Sequence, residues 1–258
     1  MTTTVLVTGG TGTLGRHVVP LLQEKGCTVR VLSRHDRPSA DGVRYVTGDL
    51  LKDEGIEPAL AGAETVLHLA GGPKGDDVAT RHLVRAASRA GIRHLVYISV
   101  IAADRVPLGY FRAKLGAERA VAESGLPWTT LRAAQFHDLV LGVARTMARM
   151  PVIPVPGGVR LQPVDASEVA ARLVDLTLDA PAGAVPDLAG PQVLGMGELL
   201  RGYLAVRGTR RPMLPVRVPG GAGRVYRAGE NLSPDGAATT GGRTWESFLA
   251  ERVAGGAR

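Results

Sequence analysis

Apolar runs alternate with helix-periodic stretches through the first half of the chain. Leu14, Val18 and Leu21 share one face of a predicted helix, and the same periodicity predicts helices over 76–90 and 110–125. The strands predicted from β-branched and apolar runs are 5–8, 28–32, 43–47, 65–72, 94–100 and 128–132. Strands that alternate with helices in this way predict an α/β fold with a doubly wound parallel sheet.

The second half of the chain is less regular. A helix is predicted to begin near Asp165 or Ser167, because either side chain suits an N-cap. Further elements are predicted over 185–190 (a strand) and over 198–207 and 244–249 (helices). The expected domains are a core of residues 1–134, completed by 163–190, and a small C-terminal substrate lobe of residues 135–162 and 191–258.

The composition favours a globular protein of the cytoplasm. Hydrophobic residues make up 45% of the 258 residues, and no apolar run approaches the roughly 18 residues that suggest a membrane helix. Cys27 is the single cysteine, which excludes a disulfide within the chain. The net charge of +7 is most concentrated in arginines between positions 201 and 227, where no DNA-reading motif accompanies it. We therefore expect a solvated basic face, no nucleic-acid partner and no membrane partner.

A glycine cluster follows the first predicted strand and opens the first predicted helix. Gly9, Gly12 and Gly15 have the spacing G-x-x-G-x-x-G. We expect Gly9 to allow a sharp turn, Gly12 to leave room for a pyrophosphate and Gly15 to let the helix approach the sheet. The free N–H groups at the start of that helix would face the phosphates. This arrangement predicts a dinucleotide-binding fold of the Rossmann type, the alternative being a tight turn without a ligand.

The end of the second strand selects the cofactor in such folds. Ser33 and Arg34 stand there, and we predict that they bind the 2′-phosphate of NADP(H), with Arg16 as a second candidate. Asp36 lies at a distance from the glycines that would suit an acid of an NAD site. The basic residues beside it, Arg34 and Arg37, favour NADP(H) over NAD(H).

Tyr110 and Lys114 are four residues apart at the start of a predicted helix, so they share one face. In such a pair the lysine binds the nicotinamide ribose and lowers the pKa of the tyrosine, which then donates a proton to a carbonyl oxygen. Ser99, at the end of the fifth strand, is the candidate for polarising that carbonyl. We predict all three as catalytic. The alternatives are a Tyr110 that packs on its neighbours and a Ser99 that points into the sheet.

Residues 8–16 resemble the opening of extended and atypical short-chain dehydrogenases/reductases. Residues 66–72, 86–138 and 163–170 resemble the NmrA-like members, which include NADPH-dependent quinone and isoflavone-type reductases. Carbonyl reductases of the family have their serine one position later, where this chain has Val100. The cofactor site predicted from the motifs and the resemblance comprises Gly9, Thr11, Gly12, Thr13, Leu14, Gly15, Ser33, Arg34, Asp49, Leu50, Leu69, Ala70, Gly71 and Lys114.

The resemblance also assigns roles to individual residues. Asp49 and Leu50 would border the adenine ring, although Asp49 equally suits the cap of a short turn. Phe136 and His137 would border the substrate, with Phe136 stacking on a flat ring. His137 would be a second acid or base, or a structural hydrogen-bonding residue. His68 lies inside an apolar run, which favours a hydrogen-bonded core histidine over a catalytic one.

The function predicted from these features is an NADPH-dependent oxidoreductase that transfers a hydride to a quinone, an enone or another small carbonyl compound. The alternative is a non-catalytic NAD(P)-sensing regulator of the NmrA type that binds a protein partner. The Tyr110 and Lys114 pair favours the reductase, and the displaced serine favours the regulator. A monomer and a homodimer are both compatible with the sequence.

Overall fold

The computed structural model describes residues 3–39, 41–72, 74–234 and 238–254. Unit 1 comprises Met1–Ser99, Gly109–Arg132 and Ser167–Val185, and unit 2 comprises Val100–Leu108, Ala133–Ala166 and Pro186–Arg258. The strands are β1 (Thr4–Thr8), β2 (Thr28–Ser33), β3 (Val43–Thr47), β4 (Thr65–His68), β5 (His94–Val100), β6 (Trp128–Ala133), β7 (Ile153–Pro156), β8 (Arg160–Leu161), β9 (Gly183–Ala184), β10 (Asp187–Ala189), β11 (Leu194–Gly195), β12 (Met213–Val216) and β13 (Ala238–Thr240). The helices are α1 (Gly15–Glu24), α2 (Ile56–Leu60), α3 (Asp76–Arg89), α4 (Gly109–Ala122), α5 (His137–Met147), α6 (Ala166–Leu178), α7 (Met196–Val206), α8 (Gly220–Ala228) and α9 (Trp245–Leu249), followed by a π-helical turn at Ala250–Ala254.

The sheet of unit 1 has the strand order β3-β2-β1-β4-β5-β6, and β9 pairs with β6. Its strands are parallel, and Val5 of β1 pairs with Val29 of β2 and with Thr65 of β4. The strand order reverses at β1, since β2 and β3 follow on one side and β4 and β5 on the other. In open parallel sheets, ligands bind beyond the carboxyl ends of the strands at this switch point. The doubly wound α/β fold predicted from the sequence is confirmed.

The core of unit 1 is built from alternate residues of the strands and from the apolar faces of α2, α3 and α4. Leu6, Val66 and Leu95 from the strands are fully buried together with Leu83 of α3 and Val121 of α4. Burying each such side chain contributes about 1.5–3 kcal/mol. The sheet and α3 are thereby fixed to each other, and α3 begins directly after the loop that follows β4.

Unit 2 has its own core, formed mainly by α5, α7 and α9. Trp245 and Phe248 of α9 are buried against Leu199 of α7, and the indole N–H of Trp245 donates to the Leu199 carbonyl at 3.1 Å. The small strands of this unit pair as β10 with β13, β7 with β12, and β8 with β11. The side chain of Thr244 caps α9 by accepting the N–H of Ser247.

The element boundaries follow the sequence pattern closely where the chain alternates strand and helix. The bounds of β3 and β5 agree with the predicted ones, whereas β4 ends at His68 rather than at residue 72. Three helices, α2, α5 and α8, are not predicted. Helix α8 begins with glycines that the sequence pattern assigns to turns. No helix in the described ranges is long and apolar enough to cross a membrane.

Candidate active site

The turn between β1 and α1 is built on glycines with different tasks. Gly9 has a φ of +70°, and a Cβ there would lie 2.7 Å from the backbone nitrogen of Ala70. A Cβ on Gly15 would lie 2.4 Å from the backbone of Gly10, and one on Gly10 would meet Val31 of β2 at 2.9 Å. The close approach to the sheet therefore occurs at Gly10, while Gly15 packs on the turn itself. A Cβ on Gly12 would contact only the Gly9 carbonyl, at 3.3 Å.

A cleft of about 410 Å³ lies beyond the carboxyl ends of the strands of unit 1. The predicted cofactor residues that line it are Gly9, Thr11, Gly12, Ser33, Arg34, Asp49, Leu50, Leu69, Ala70 and Gly71. The lining residues that the sequence analysis did not single out are Thr8, Leu32, Gly48, Leu51, Gly72, Lys74, Gly75, Asp76 and Ala79. Most of the second group follows β4 or opens α3, so only the three-dimensional arrangement joins it to the glycine turn.

Four predicted cofactor residues do not line the cleft: Thr13, Leu14, Gly15 and Lys114. Leu14 and Gly15 are buried under the turn and hold its shape. The backbone N–H groups of Thr13 and Leu14 have no hydrogen-bond acceptor within the described ranges. Such free N–H groups at the start of a helix favour an anion.

Two cationic side chains, Arg34 and Lys74, and two acidic ones, Asp49 and Asp76, line the cleft. Neither Arg34 nor Lys74 makes an ion pair within the part of the chain that the structure describes. Asp49 accepts the N–H of Leu51 at 2.8 Å, so it caps a turn while it borders the cleft. Asp36, the competing acid, does not line the cleft.

Lys114 lies behind the cleft wall in a buried ion pair. Its Nζ is 3.0 Å from Oδ2 of Asp76, and both side chains are 5% exposed. The ammonium also donates to the hydroxyl of Tyr97 at 3.4 Å, and Asp76 accepts the N–H of Gly72 at 2.6 Å through Oδ1. Burial, with a smaller contribution from Asp76 and other acidic groups, raises the pKa of Tyr97 well above its usual value.

Tyr110 is not activated in the way that its spacing from Lys114 predicts. Its side chain packs edge-on against Phe111, with the ring centroids 5.5 Å apart. Partial burial and the negative charge of Asp76 raise the pKa of Tyr110 to about 12. The expected lowering of this pKa by Lys114 is therefore wrong, because burial disfavours the phenolate and the nearby carboxylate of Asp76 adds to that effect.

Ser99 does not reach the cleft. It is 1% exposed, it is absent from the cleft lining, and its hydroxyl has no hydrogen-bond partner within the described ranges. This arrangement matches the alternative in which the side chain points into the sheet, and it corrects the expectation that Ser99 polarises a carbonyl group. The structure therefore gives none of the three predicted catalytic side chains a place in the cleft lining.

His68 anchors a buried hydrogen-bond network behind the cleft. The hydroxyl of Thr80 donates to the Asp76 carbonyl at 2.7 Å, so it accepts the Nε2 proton of His68 at 3.0 Å. Thr8 accepts the N–H of Ala70 at 3.2 Å and donates to Nδ1 of His68 at 2.7 Å. Burial and, to a smaller extent, a nearby ammonium lower the pKa of His68 to about 3. His68 is thus a neutral core histidine, as the apolar run around it indicates.

The two predicted substrate residues lie in unit 2. Phe136 is half-buried and forms a bridge with Val164 just before α5. His137 is 1% exposed and packs among aromatic rings, with Phe248 at a centroid distance of 5.0 Å. Its Nδ1 lies 3.8 Å from Oδ2 of Asp165. His137 is therefore a core residue of unit 2, which corrects the expectation of a second acid or base facing substrate.

The cleft of unit 1 fits a phosphorylated dinucleotide by its shape and charge. The open side of Gly12 leaves the space that a pyrophosphate requires, and the free N–H groups of Thr13 and Leu14 lie at the same turn. Arg34 supplies a cation without a protein partner in the described ranges. A side chain at position 12 would fill this space.

Comparisons with known proteins agree with this geometry. Residues 9–176 match the model of a family described as NAD(P)H-binding. The chain is 32% identical over 203 residues to a (4-alkanoyl-5-oxo-2,5-dihydrofuran-3-yl)methyl phosphate reductase of Streptomyces griseus, covering 75% of this chain and 70% of that protein. It is 30% identical over 221 residues to an NAD(P)H azoreductase of Xenophilus azovorans, covering 83% and 77%.

Among solved structures, an NADPH-dependent quinone oxidoreductase of Escherichia coli in complex with NADPH has the same fold. The TM-score is 0.79 at 20% sequence identity, and the match covers 96% of this chain and 99% of that chain. The sequence relatives described above are reductases, which does not favour the non-catalytic regulator. The chain therefore belongs to the family described as NAD(P)H-binding, and its reductase relatives support an NAD(P)H-dependent oxidoreductase.

Proposed function

We propose that the chain binds NADP(H) in the cleft of unit 1 and reduces a small molecule with a conjugated carbonyl group, such as a quinone or an enone. The observation that carries this proposal is the unpartnered cation Arg34 at the end of β2, in a cleft that also contains the glycine turn. Gly9, Thr11 and Gly12 would hold the pyrophosphate, and Arg34 would hold the 2′-phosphate. A bound NADPH supplies a hydride in this chemistry.

The preference for NADP(H) over NAD(H) is supported by the positions of two neighbouring charges. Arg34 lines the cleft, and Asp36, which would accept ribose hydroxyls in an NAD site, does not. Ser33 contributes to the wall in a different way, because its hydroxyl is occupied by the carbonyl of His35 at 2.8 Å. We therefore assign the 2′-phosphate contact mainly to Arg34. Asp49, Leu50, Leu69, Ala70 and Gly71 would border the remainder of the cofactor.

A conjugated acceptor suits the acid groups that this chain offers. Reduction of a simple ketone produces a strongly basic alkoxide, which needs a positioned acid. Reduction of a quinone or an enone instead produces a delocalised, weakly basic oxyanion that water can protonate. Tyr110 has a pKa of about 12 and Ser99 is buried, so neither is prepared as an acid or as a carbonyl-polarising group. This favours the conjugated class within the wider range of small carbonyl compounds.

Four dissociation constants test the cofactor assignment. We expect wild-type protein to bind NADPH and NADP⁺ more tightly than NADH and NAD⁺ in fluorescence or calorimetric titrations. Arg34→Ala removes a charge-assisted phosphate contact, so it is expected to weaken the phosphorylated pair by about 10- to 100-fold and leave the other pair unchanged. Arg37→Ala is the matched control, since this exposed arginine stands outside the cleft lining. Equal weakening of all four ligands in Arg34→Ala would contradict the assignment.

Turnover tests the reaction. NADPH oxidation is followed by absorbance with a quinone, an enone and an unconjugated ketone at matched concentrations. We expect kcat/KM for the quinone or the enone to exceed that for the ketone. Tight cofactor binding without oxidation by any of these acceptors would refute the reductase and would favour the non-catalytic regulator.

A further inference from the structure

The ion pair between Asp76 and Lys114 lies directly behind one glycine of the cleft wall. A Cβ on Gly71 would lie 3.0 Å from Nζ of Lys114 and 3.1 Å from Oδ2 of Asp76. Gly71 lines the cleft and is exposed, whereas Lys114 is 4% exposed. Gly71 therefore lies between the ammonium of Lys114 and the space assigned to the dinucleotide, whereas Asp76 itself lines the cleft.

Asp76 connects three parts of this wall. Through Oδ1 it accepts the N–H of Gly72, and through Oδ2 it pairs with the ammonium of Lys114. Its backbone carbonyl accepts the hydroxyl of Thr80, which belongs to the network of His68. Asp76 itself lines the cleft at the start of α3. One carboxylate thus fixes the loop after β4, the start of α3 and the position of a cation carried by α4.

We propose that Asp76 is a positioning residue of the cofactor cleft, which holds the ammonium of Lys114 in place behind Gly71. The inference rests on the proposed function, because it gives the wall a task in binding the dinucleotide. Gly71 is part of the same arrangement, since only a residue without a side chain leaves the pair undisturbed. Asp76 and Lys114 together then fix the backbone of Gly71 and Gly72, which borders the space assigned to the dinucleotide.

The position of the Lys114 ammonium depends on Asp76, because the other groups around it in the described ranges offer no equivalent partner. A buried ammonium needs a counter-charge to offset its loss of water. The titratable groups that face the pair from the neighbouring elements are His68 of β4, Tyr97 of β5, and Tyr110 and Glu118 of α4. His68 is neutral above about pH 3, and Glu118 is already bound by Arg132 at 2.7 Å.

Asp76→Asn is the first test, because the amide oxygen can still accept the N–H of Gly72 while the charge is lost. We expect the dissociation constant for NADPH to rise by at least about 10-fold at pH 8. A purely structural role of Asp76 would lower the thermal midpoint and leave the dissociation constant of the folded variant for NADPH unchanged.

A double-mutant cycle separates Asp76 from Lys114. In a Lys114→Met background, Asp76→Asn is expected to change the dissociation constant less than twofold, because the cation to be positioned is gone. Effects of Asp76→Asn that are the same in both backgrounds would overturn the proposal. Thermal melting of all variants identifies any that fail to fold.

Gly71→Ala tests the wall without removing a charge. Its Cβ would disturb the pair, and we expect a loss of NADPH affinity of about 10-fold. Gly72→Ala is the comparison within the same wall, where a Cβ would meet nothing closer than the Lys74 carbonyl at 3.8 Å, so the loss should be clearly smaller. Gly109→Ala lies in open space outside the cleft and controls for the substitution itself. Equal losses for the two wall variants would contradict the role of Gly71.

The outcomes also separate this inference from the proposed function. If wild-type protein binds no dinucleotide, both fall together. If the wild type binds NADPH and Asp76→Asn binds it equally well, only the positioning role is wrong.

Discussion

The buried hydroxyl of Thr8 allows a direct measurement of what the network behind the cleft contributes to stability. Thr8 is fully buried at the end of β1, accepts the N–H of Ala70 and donates to Nδ1 of His68. Thr8→Val keeps the shape of the side chain and a residue that favours a strand, but it leaves both partners without their hydrogen bond. Each unsatisfied buried group costs about 1–3 kcal/mol, and Ala70 is only partly buried. We therefore expect the free energy of unfolding to fall by about 2–4 kcal/mol.

The chain provides a matched control for this substitution. Thr130 is 6% exposed in β6 of the same unit, and its hydroxyl has no hydrogen-bond partner within the described ranges. Thr130→Val therefore removes a buried polar group without leaving a partner unsatisfied, so the free energy of unfolding should stay the same or rise slightly. Urea unfolding followed by circular dichroism gives both free energies. Equal destabilisation by the two substitutions, or a loss below about 0.5 kcal/mol for Thr8→Val, would refute the network.

Three further predictions concern single groups of the chain. The pKa of His68 falls from 6.5 to about 3 in the folded chain, so the unfolded chain takes up the proton first as the pH drops. The free energy of unfolding should therefore fall by about 1.4 kcal/mol per pH unit between pH 6.5 and 3. Urea titrations of wild type and His68→Asn measure this slope, and parallel pH profiles of the two proteins would contradict it. Gly15→Ala should destabilise the fold by about 1–3 kcal/mol, because its Cβ would lie 2.4 Å from the backbone of Gly10. Gly142→Ala, at an exposed position inside α5, should instead stabilise it by about 0.5–1 kcal/mol. A change of the same sign for both variants in urea unfolding would contradict the close packing of Gly15 on Gly10. Tyr110→Phe should keep kcat for a quinone within about threefold, because a phenol with a pKa of about 12 gives little acid catalysis; a loss of 100-fold or more in steady-state assays would restore Tyr110 as the proton donor.

The sequence predicts the fold of unit 1 well because local signals agree with the tertiary structure there. The apolar runs of β3 and β5 end where the strands end, and Gly26, with a φ of +78°, stands just after α1, where a glycine commonly ends a helix. In unit 2 the local signals are weaker. Helix α5 has buried apolar residues at Val140, Leu141 and Ala144, a helical spacing that could have indicated it. The glycines that open α8 favour turns locally, so tertiary packing decides that helix.

The candidate site likewise contains residues that a local motif predicts and residues that only tertiary packing brings together. Residues of the glycine turn and the end of β2, such as Gly12 and Arg34, are predictable because one local motif carries them into the cleft. The partner of Lys114 is not, because Asp76 belongs to another helix and only the packing of α3 against α4 brings the two together. Spacing along one helix indicates that Tyr110 and Lys114 share a face, but it contains no information about a competing carboxylate. The expected activation of Tyr110 fails for this reason.

The ion pair between Asp76 and Lys114 also explains why the backbone position of the cleft wall depends on buried charged groups. An isolated ammonium at 5% exposure would be strongly destabilised by the loss of water, and the carboxylate of Asp76 offsets that cost at 3.0 Å. The same carboxylate fixes the N–H of Gly72, so the electrostatic requirement of one helix determines the backbone position of the loop that borders the ligand. Replacing both charged residues by uncharged ones that keep an acceptor for the N–H of Gly72 would then leave the stability of the fold nearly unchanged, while removing the cation behind the cleft wall. Stability and cofactor affinity should therefore separate in Asp76→Asn/Lys114→Met, which a shared structural role of the pair would not allow.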